Sequence, residues 1–284
     1  MESRKLANGT SIPAVGFGVF QISADATAQA VADAIAAGYR HIDTAQSYFN
    51  EAAVGEGIRR SGIAREDLFV TTKVWIDNYG EGSTRASIEE SLAKLGLDYV
   101  DLFLLHQPFN DVYGSWRDLE KAYEDGLVRA IGVSNFTPAR LHDLGSFNAV
   151  YPMVNQIEVN PFHQQTERVA QLQEHGVVVE AWAPFGEGRS GLFTNPVLSE
   201  IGAQYGKSVA QVVLRWLIQR GIVPLAKSVH AERMQQNLDV FDFELSAQDM
   251  EKIASLDEGS SLFFKHEDLG TVDYMKQLVE QRRK

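Results

Sequence analysis

A repeating alternation limits what this chain can fold into more than any other feature. Short apolar segments near 14–20, 41–45, 69–74, 99–106, 128–134, 153–159, 177–183 and 222–227 are each followed by a stretch with helical spacing. Those stretches lie near 25–37, 51–61, 83–95, 114–125, 137–145, 165–175, 207–220 and 230–239. The strand segments are apolar on both faces, as in Tyr99-Val-Asp-Leu-Phe-Leu-Leu105, which is the pattern of buried parallel strands. Eight such units in 284 residues favour an α/β fold closed as a (β/α)8 TIM barrel over an open doubly wound sheet. An open dinucleotide-binding sheet would also need Gly-x-Gly-x-x-Gly after its first strand, and Gly16-Phe-Gly18 is followed by Gln21 at the third position.

The two ends depart from the alternation. Asn8-Gly9 between two short extended pieces predicts an N-terminal β-hairpin. After Leu256 the chain is an irregular C-terminal tail over the barrel mouth, helical again near 272–282. No linker or internal repeat divides it, so residues 1–284 read as a single domain.

Composition removes several classes of function. A net charge of -12 argues against nucleic acid or an anionic membrane surface as a partner. The chain has no Cys, which excludes disulfides, zinc-thiolate sites and thiol catalysis and fits a reducing compartment. The first residues lack the apolar core of a signal peptide, and no apolar run is long enough to span a bilayer. The expectation is a cytoplasmic enzyme acting on a small molecule, with no metal.

Three strands carry one misplaced polar residue each. Asp43 ends the apolar part of His41-Ile-Asp-Thr-Ala-Gln-Ser-Tyr48, Lys73 interrupts Phe-Val-Thr-Thr-Lys-Val-Trp, and His106 follows Leu-Phe-Leu-Leu. A charge in a strand interior is expensive unless paired. In a barrel, strand carboxyl ends meet at one mouth, so Asp43, Lys73 and His106 converge there, with Tyr48 hanging over the same opening. The chemistry they support is proton donation to a carbonyl oxygen. Lys73 is expected to favour ionisation of Tyr48, Asp43 to hold Lys73 charged, and His106 to orient the carbonyl oxygen. Nothing in this set supplies reducing power, so a cofactor must.

These residues sit in recognisable motifs. Asp43-Thr-Ala-x-x-Tyr48, Lys73 after Val-Thr-Thr, Leu-Leu-His106-x-Pro, Gly132-Val-Ser-Asn-Phe136, Asn155-Gln156, and Lys227-Ser228 with Arg233 and Asn237 occur in that order. Over nearly its whole length the chain resembles the aldo-keto reductases. Trp182-Ala-Pro-Phe-Gly-Glu-Gly188 and Asn237-Leu-Asp-Val-Phe-Asp-Phe-Glu resemble the bacterial 2,5-diketo-gluconic acid reductase branch.

The resemblance implies a catalytic tetrad of Asp43, Tyr48, Lys73 and His106, with hydride from a nicotinamide. It implies that Ser134, Asn135 and Gln156 bind the carboxamide and that Trp182 stacks on the nicotinamide ring. Pro184, Phe185, Gly186, Glu187 and Gly188 would form the loop across the pyrophosphate. Lys227, Ser228, Val229 and Arg233 would surround a 2'-phosphate, which favours NADP(H) over NADH, and Gln236 and Asn237 would face the adenine. A monomer is also implied.

Phe20, Trp75, His106 and Gln107, with the 259–264 tail, are expected to wall the site for a small-molecule carbonyl substrate. Phe49 stands where many relatives carry Gly, Gln107 where Trp often follows the His, and Ala226 where Pro usually precedes Lys-Ser. Two other readings use the same residues: a Schiff-base lyase like a class I aldolase with Lys73 as nucleophile, and a non-catalytic NADP(H) redox sensor.

Overall fold

The protein is described from a computed structural model covering residues 2–282. Eight parallel strands close into a barrel. They are β3 (Gly16–Gly18), β4 (His41–Asp43), β5 (Phe69–Val74), β6 (Leu102–Leu105), β7 (Ile131–Ser134), β8 (Val154–Glu158), β9 (Val178–Trp182) and β10 (Val223–Ala226). Strand β10 pairs back onto β3, so no edge is left open. The expected hairpin forms from β1 (Ser3–Lys5) and β2 (Ser11–Pro13), paired antiparallel, with Gly9 at φ 86° in its turn.

Helices α1 (Ala24–Ala37), α2 (Glu51–Ser61), α3 (Ser83–Leu95), α4 (Val112–Glu124), α5 (Pro138–Ser146) and α6 (Thr166–Glu174) occupy the predicted intervals. So do α8 (Val209–Gln219) and α9 (Ala231–Leu238). Gly38 caps α1 at φ 115°, a conformation only glycine adopts freely.

Two helices are additions to the sequence reading, α7 (Pro196–Tyr205) and α10 (Ala247–Ala254). Each carries a start signal: Asn195 caps α7 with Pro196 at its first turn, and Ser246 with Asp249 makes a capping box for α10. Helix α10 and the tail helix α11 (Leu269–Arg282), the latter where a tail helix was expected, follow α9. No helix among the described residues is long and apolar enough to cross a membrane.

Strand alternation divides the barrel interior into a dry half and a polar half. Phe69, Leu102, Leu104, Val154 and Val223 point inward near the amino ends and pack with Leu6 and Ile12 of the hairpin. The period of two then places Thr71 and Lys73 above Phe69, Gln156 above Val154, and His106 above Leu104. The register pairs Asp43 with Thr71 and Lys73 with Leu104. Thus one alternation sets both the plug at the bottom and the polar cluster beneath the mouth.

Candidate active site at the barrel mouth

Lys73 is fully buried, and its ammonium has three acceptors for its three protons. Nζ donates to Asp43 Oδ1 at 2.6 Å, to the Thr44 carbonyl at 2.9 Å and to the Tyr48 hydroxyl oxygen at 3.2 Å. Burial alone would depress this amine, but Asp43 and Tyr48 outweigh it and hold Lys73 above its ordinary value. A charged amine with every proton committed is a poor nucleophile, which counts against the Schiff-base reading.

Lys73 favours ionisation of Tyr48, as expected, but burial outweighs it. Burial pushes the phenol above its ordinary value, the Lys73 ammonium offsets part of that rise, and the Asp43 carboxylate adds to it. On balance the phenol keeps its proton in the resting protein.

His106 follows β6 and is also buried. Burial, Lys73 and Arg282 hold its ring well below the ordinary histidine value, so it is neutral. Its Nδ1 lies 3.3 Å from Ser47 Oγ. The rings of Tyr48, Trp75 and His106 meet edge to face, with centroids 5.8 Å and 5.1 Å from His106. All four expected catalytic residues therefore converge in one cluster.

Glu180 of β9 was not among the expected site residues, although it breaks an apolar strand as Lys73 does. Gln156 Nε2 donates to both Asp43 Oδ2 at 2.9 Å and Glu180 Oε2 at 3.0 Å. Burial and the Asp43 charge push Glu180 up to about 8. The neighbouring His41, 3.6 Å away, is pushed down to about 3 by burial and Lys73, so this contact joins two neutral groups. A Cβ on Gly16 would come within 2.7 Å of the His41 ring, so glycine there makes room for it.

Above the cluster a cavity of about 1440 Å3 opens, larger than an ordinary small-molecule site. Phe20, Tyr48, Trp75, His106 and Gln107 line it, as do Ser134, Asn135, Gln156 and Trp182. Pro184, Phe185, Glu187 and Gly188 line it as well. So do Lys227, Ser228 and Val229, just before α9, and Arg233, Gln236 and Asn237 on that helix. Gly186 is the exception: it is buried, and a Cβ there would meet Leu262 at 2.7 Å, so it packs under the tail.

Part of this lining is held rigidly. Asn135, at φ 67°, donates to the His106 carbonyl at 3.0 Å and accepts from Trp182 Nε1 at 2.8 Å, fixing the indole. Ser134 Oγ donates to the Gln156 carbonyl at 2.8 Å. Gln156 commits its amide nitrogen to two carboxyl groups and leaves its Oε1 without a partner among the described residues. Such an oxygen suits a carboxamide N–H, and the exposed Lys227 and Arg233 suit a phosphate.

The tail closes over this cavity. Glu158, at the end of β8, accepts from Ser261 Oγ at 2.5 Å and from the Leu262 amide at 3.1 Å. That anchor sets Phe263 against Trp182, ring centroids 5.2 Å apart. His266 donates to Gln107 Oε1 at 3.1 Å. The sequence reading left out Arg282, which lines the cavity, and Glu158 and His266, which hold the tail and Gln107 beside it.

Residues 14–258 match the model of the aldo/keto reductase family. The chain is 47% identical over 268 residues to a morphine 6-dehydrogenase of Pseudomonas putida, covering 89% of this chain and 90% of that protein. It is likewise 47% identical over 256 residues to a glyoxal reductase of Bacillus subtilis, covering 89% and 92%. A crystal structure of a Bombyx mori aldo-keto reductase in complex with NADP superposes with a TM-score of 0.90 at 37% identity, covering 96% of each chain. This chain belongs to the aldo/keto reductase family.

Proposed function

We propose that this protein, an NADP-dependent oxidoreductase, reduces a small aldehyde or ketone to the alcohol with Tyr48 as the proton donor. The observation that carries the reading is the Lys73 ammonium, 3.2 Å from a phenol oxygen that faces an open cavity. Tyr48 accepts the Lys73 proton contact through its oxygen, which leaves its own O–H free to point at a carbonyl oxygen. As the phenol gives up that proton, the ammonium stabilises the negative oxygen, and Asp43 keeps the ammonium charged. His106, neutral and braced by Trp75, accepts from Ser47 Oγ at Nδ1 and donates its one N–H, on Nε2, to the same carbonyl oxygen, orienting it.

When bound, the reduced nicotinamide supplies the hydride. Trp182, Ser134, Asn135 and Gln156 would hold the nicotinamide end, and the 184–188 loop would cross the pyrophosphate. Lys227, Ser228 and Arg233 would hold the 2'-phosphate, which supports NADPH over NADH. The substrate classes that fit are a keto-sugar, a dicarbonyl or an aromatic aldehyde. The relative named for glyoxal supports a dicarbonyl, and the motif resemblance supports a keto-sugar such as 2,5-diketo-gluconate.

A steady-state panel of 2,5-diketo-gluconate, methylglyoxal and benzaldehydes, run with NADPH and with NADH, tests the reading. Turnover with NADPH at least an order of magnitude faster than with NADH is expected. NADPH binding with no turnover of any carbonyl would leave only the redox-sensor reading.

A further inference from the structure

Phe49, one residue past Tyr48, sits at φ 56° and ψ 25°. Glycine occupies that left-handed region freely, whereas a bulky side chain there is strained. The strained residue is not packed into a core: Phe49 is 75% exposed. Strain held without burial asks what the ring does.

The ring meets Arg282, at the end of α11. The Arg282 guanidinium carbon lies 4.4 Å from the Phe49 ring centroid and 5.1 Å from that of Trp75. Helix α11 crosses the mouth, so Tyr274, Leu278 and Arg282 line the same cavity as Tyr48 and His106. Two aromatic faces thus fix the direction of a cation at the rim.

Its polar contacts are weak. Nη1 reaches Asp77 Oδ2 and Nη2 reaches the Ser47 carbonyl, each at 3.4 Å. Charge-assisted bonds of this kind are usually about 2.7–2.9 Å. The guanidinium is mostly out of solvent, with its side chain 21% exposed, and burial lowers its pKa. Its other N–H groups have no acceptor among the described residues.

Both anchors lead to the reacting centre. Ser47, whose carbonyl Arg282 touches, places its Oγ 3.3 Å from His106 Nδ1. Trp75 carries His106 against one side of its ring and Arg282 against another contact. The cation therefore stands one residue from the group that orients the carbonyl oxygen. Of the other cations nearby, Lys73 is committed to Asp43, while His266, pushed down to about 4, is neutral.

We propose that Phe49 and Trp75 aim Arg282 at the carboxylate of the substrate, so that the enzyme prefers aldehydes and ketones bearing a carboxylate a few bonds from the carbonyl. This rests on the reductase reading and names the substrate class of that same site. A planar fork whose other donors have no acceptor among the described residues matches a carboxylate bidentately, and a dry apolar rim strengthens the pairing. Asp77 neutralises the guanidinium when no substrate is present and gives way to a closer acceptor.

The test compares kcat/KM with NADPH for succinic semialdehyde against butanal, and for 4-carboxybenzaldehyde against 4-methylbenzaldehyde. The wild type is expected to prefer the acid in at least one pair. Arg282→Gln should lower that acid-to-neutral ratio about tenfold, mainly through KM. Arg282→Lys should restore part of it. Phe49→Gly suits the backbone it replaces and should also lower the ratio, because the guanidinium loses its platform. Preference for the neutral member in both pairs, or a ratio unmoved in both Arg282→Gln and Phe49→Gly, would overturn the assignment while leaving the reductase intact. Failure of the wild type to reduce any of the four aldehydes would sink the reductase reading along with it.

Discussion

The Lys73 ammonium lies between the Asp43 carboxylate and the Tyr48 phenol, 2.6 Å from one and 3.2 Å from the other. One buried cation thereby neutralises a carboxylate that could not stand alone and, in the proposed reaction, would stabilise charge on the phenol oxygen. Burial raises the phenol, whereas Asp43 and Tyr48 raise the ammonium against burial, and both shifts keep the resting site loaded with its protons.

Removing only the phenol oxygen isolates the proton-donor role. Tyr48→Phe is expected to lower kcat by about 10²–10⁴-fold, the usual worth of a general acid. NADPH affinity, measured by fluorescence titration, should hold. Undiminished turnover would place the donor elsewhere.

The Lys73–Asp43 pair is out of water, so breaking it strands a charge. Lys73→Met should destabilise the fold by about 3–5 kcal/mol, read from urea unfolding. Adding Asp43→Asn should recover part of the loss, because no lone carboxylate then remains. If the double variant is no more stable than the single one, the penalty lies in packing instead.

Glu180 and His41 make stability depend on pH in opposite directions. The folded chain holds the Glu180 proton from the ordinary value of 4.5 up to about 8. That stabilisation is complete below this window and is lost as pH rises through it. His41 is pushed from 6.5 down to about 3, so its contribution is present above 6.5 and is lost as pH falls. Glu180→Gln should flatten the decline between pH 6.5 and 8, by up to about 1.4 kcal/mol per pH unit. Urea midpoints across pH 5–9 measure it, and parallel curves for the two proteins would refute the assignment.

Arg233 is exposed and lines the same cavity as Lys227. Arg233→Ala should weaken NADPH about tenfold or more while changing NADH little, since only NADPH offers a phosphate to bind. Equal losses for the two dinucleotides would mean that the 2'-phosphate is held by other residues.

Much of this site was legible before any coordinates. Asp43, Lys73 and His106 each interrupt an apolar strand, and a polar residue in that setting asks for a partner. Glu180 sends the same signal within Val-Val-Glu-Ala-Trp. Helices α7 and α10 were legible too, through the Asn195-Pro196 start and the Ser246 to Asp249 box. They are short, and their apolar residues do not stand out from the loops beside them.

Other features had no local signature. His266 and Arg282 reach the mouth only because Glu158 anchors the tail at Ser261 and Leu262, which are 103 and 104 residues further along the chain. The strain at Phe49 depends on a φ angle set by its neighbours, and the direction of the Tyr48 shift depends on how much water the closed barrel excludes.

By itself, then, the sequence determined the closed eight-unit alternation and the residues carried at the strand ends, because strand period and charge burial are local rules. The tertiary structure alone decided which side chains from distant segments share the cavity, and which way burial moves their protons. Those depend on distances across space and on the exclusion of solvent, which no single stretch of the chain encodes.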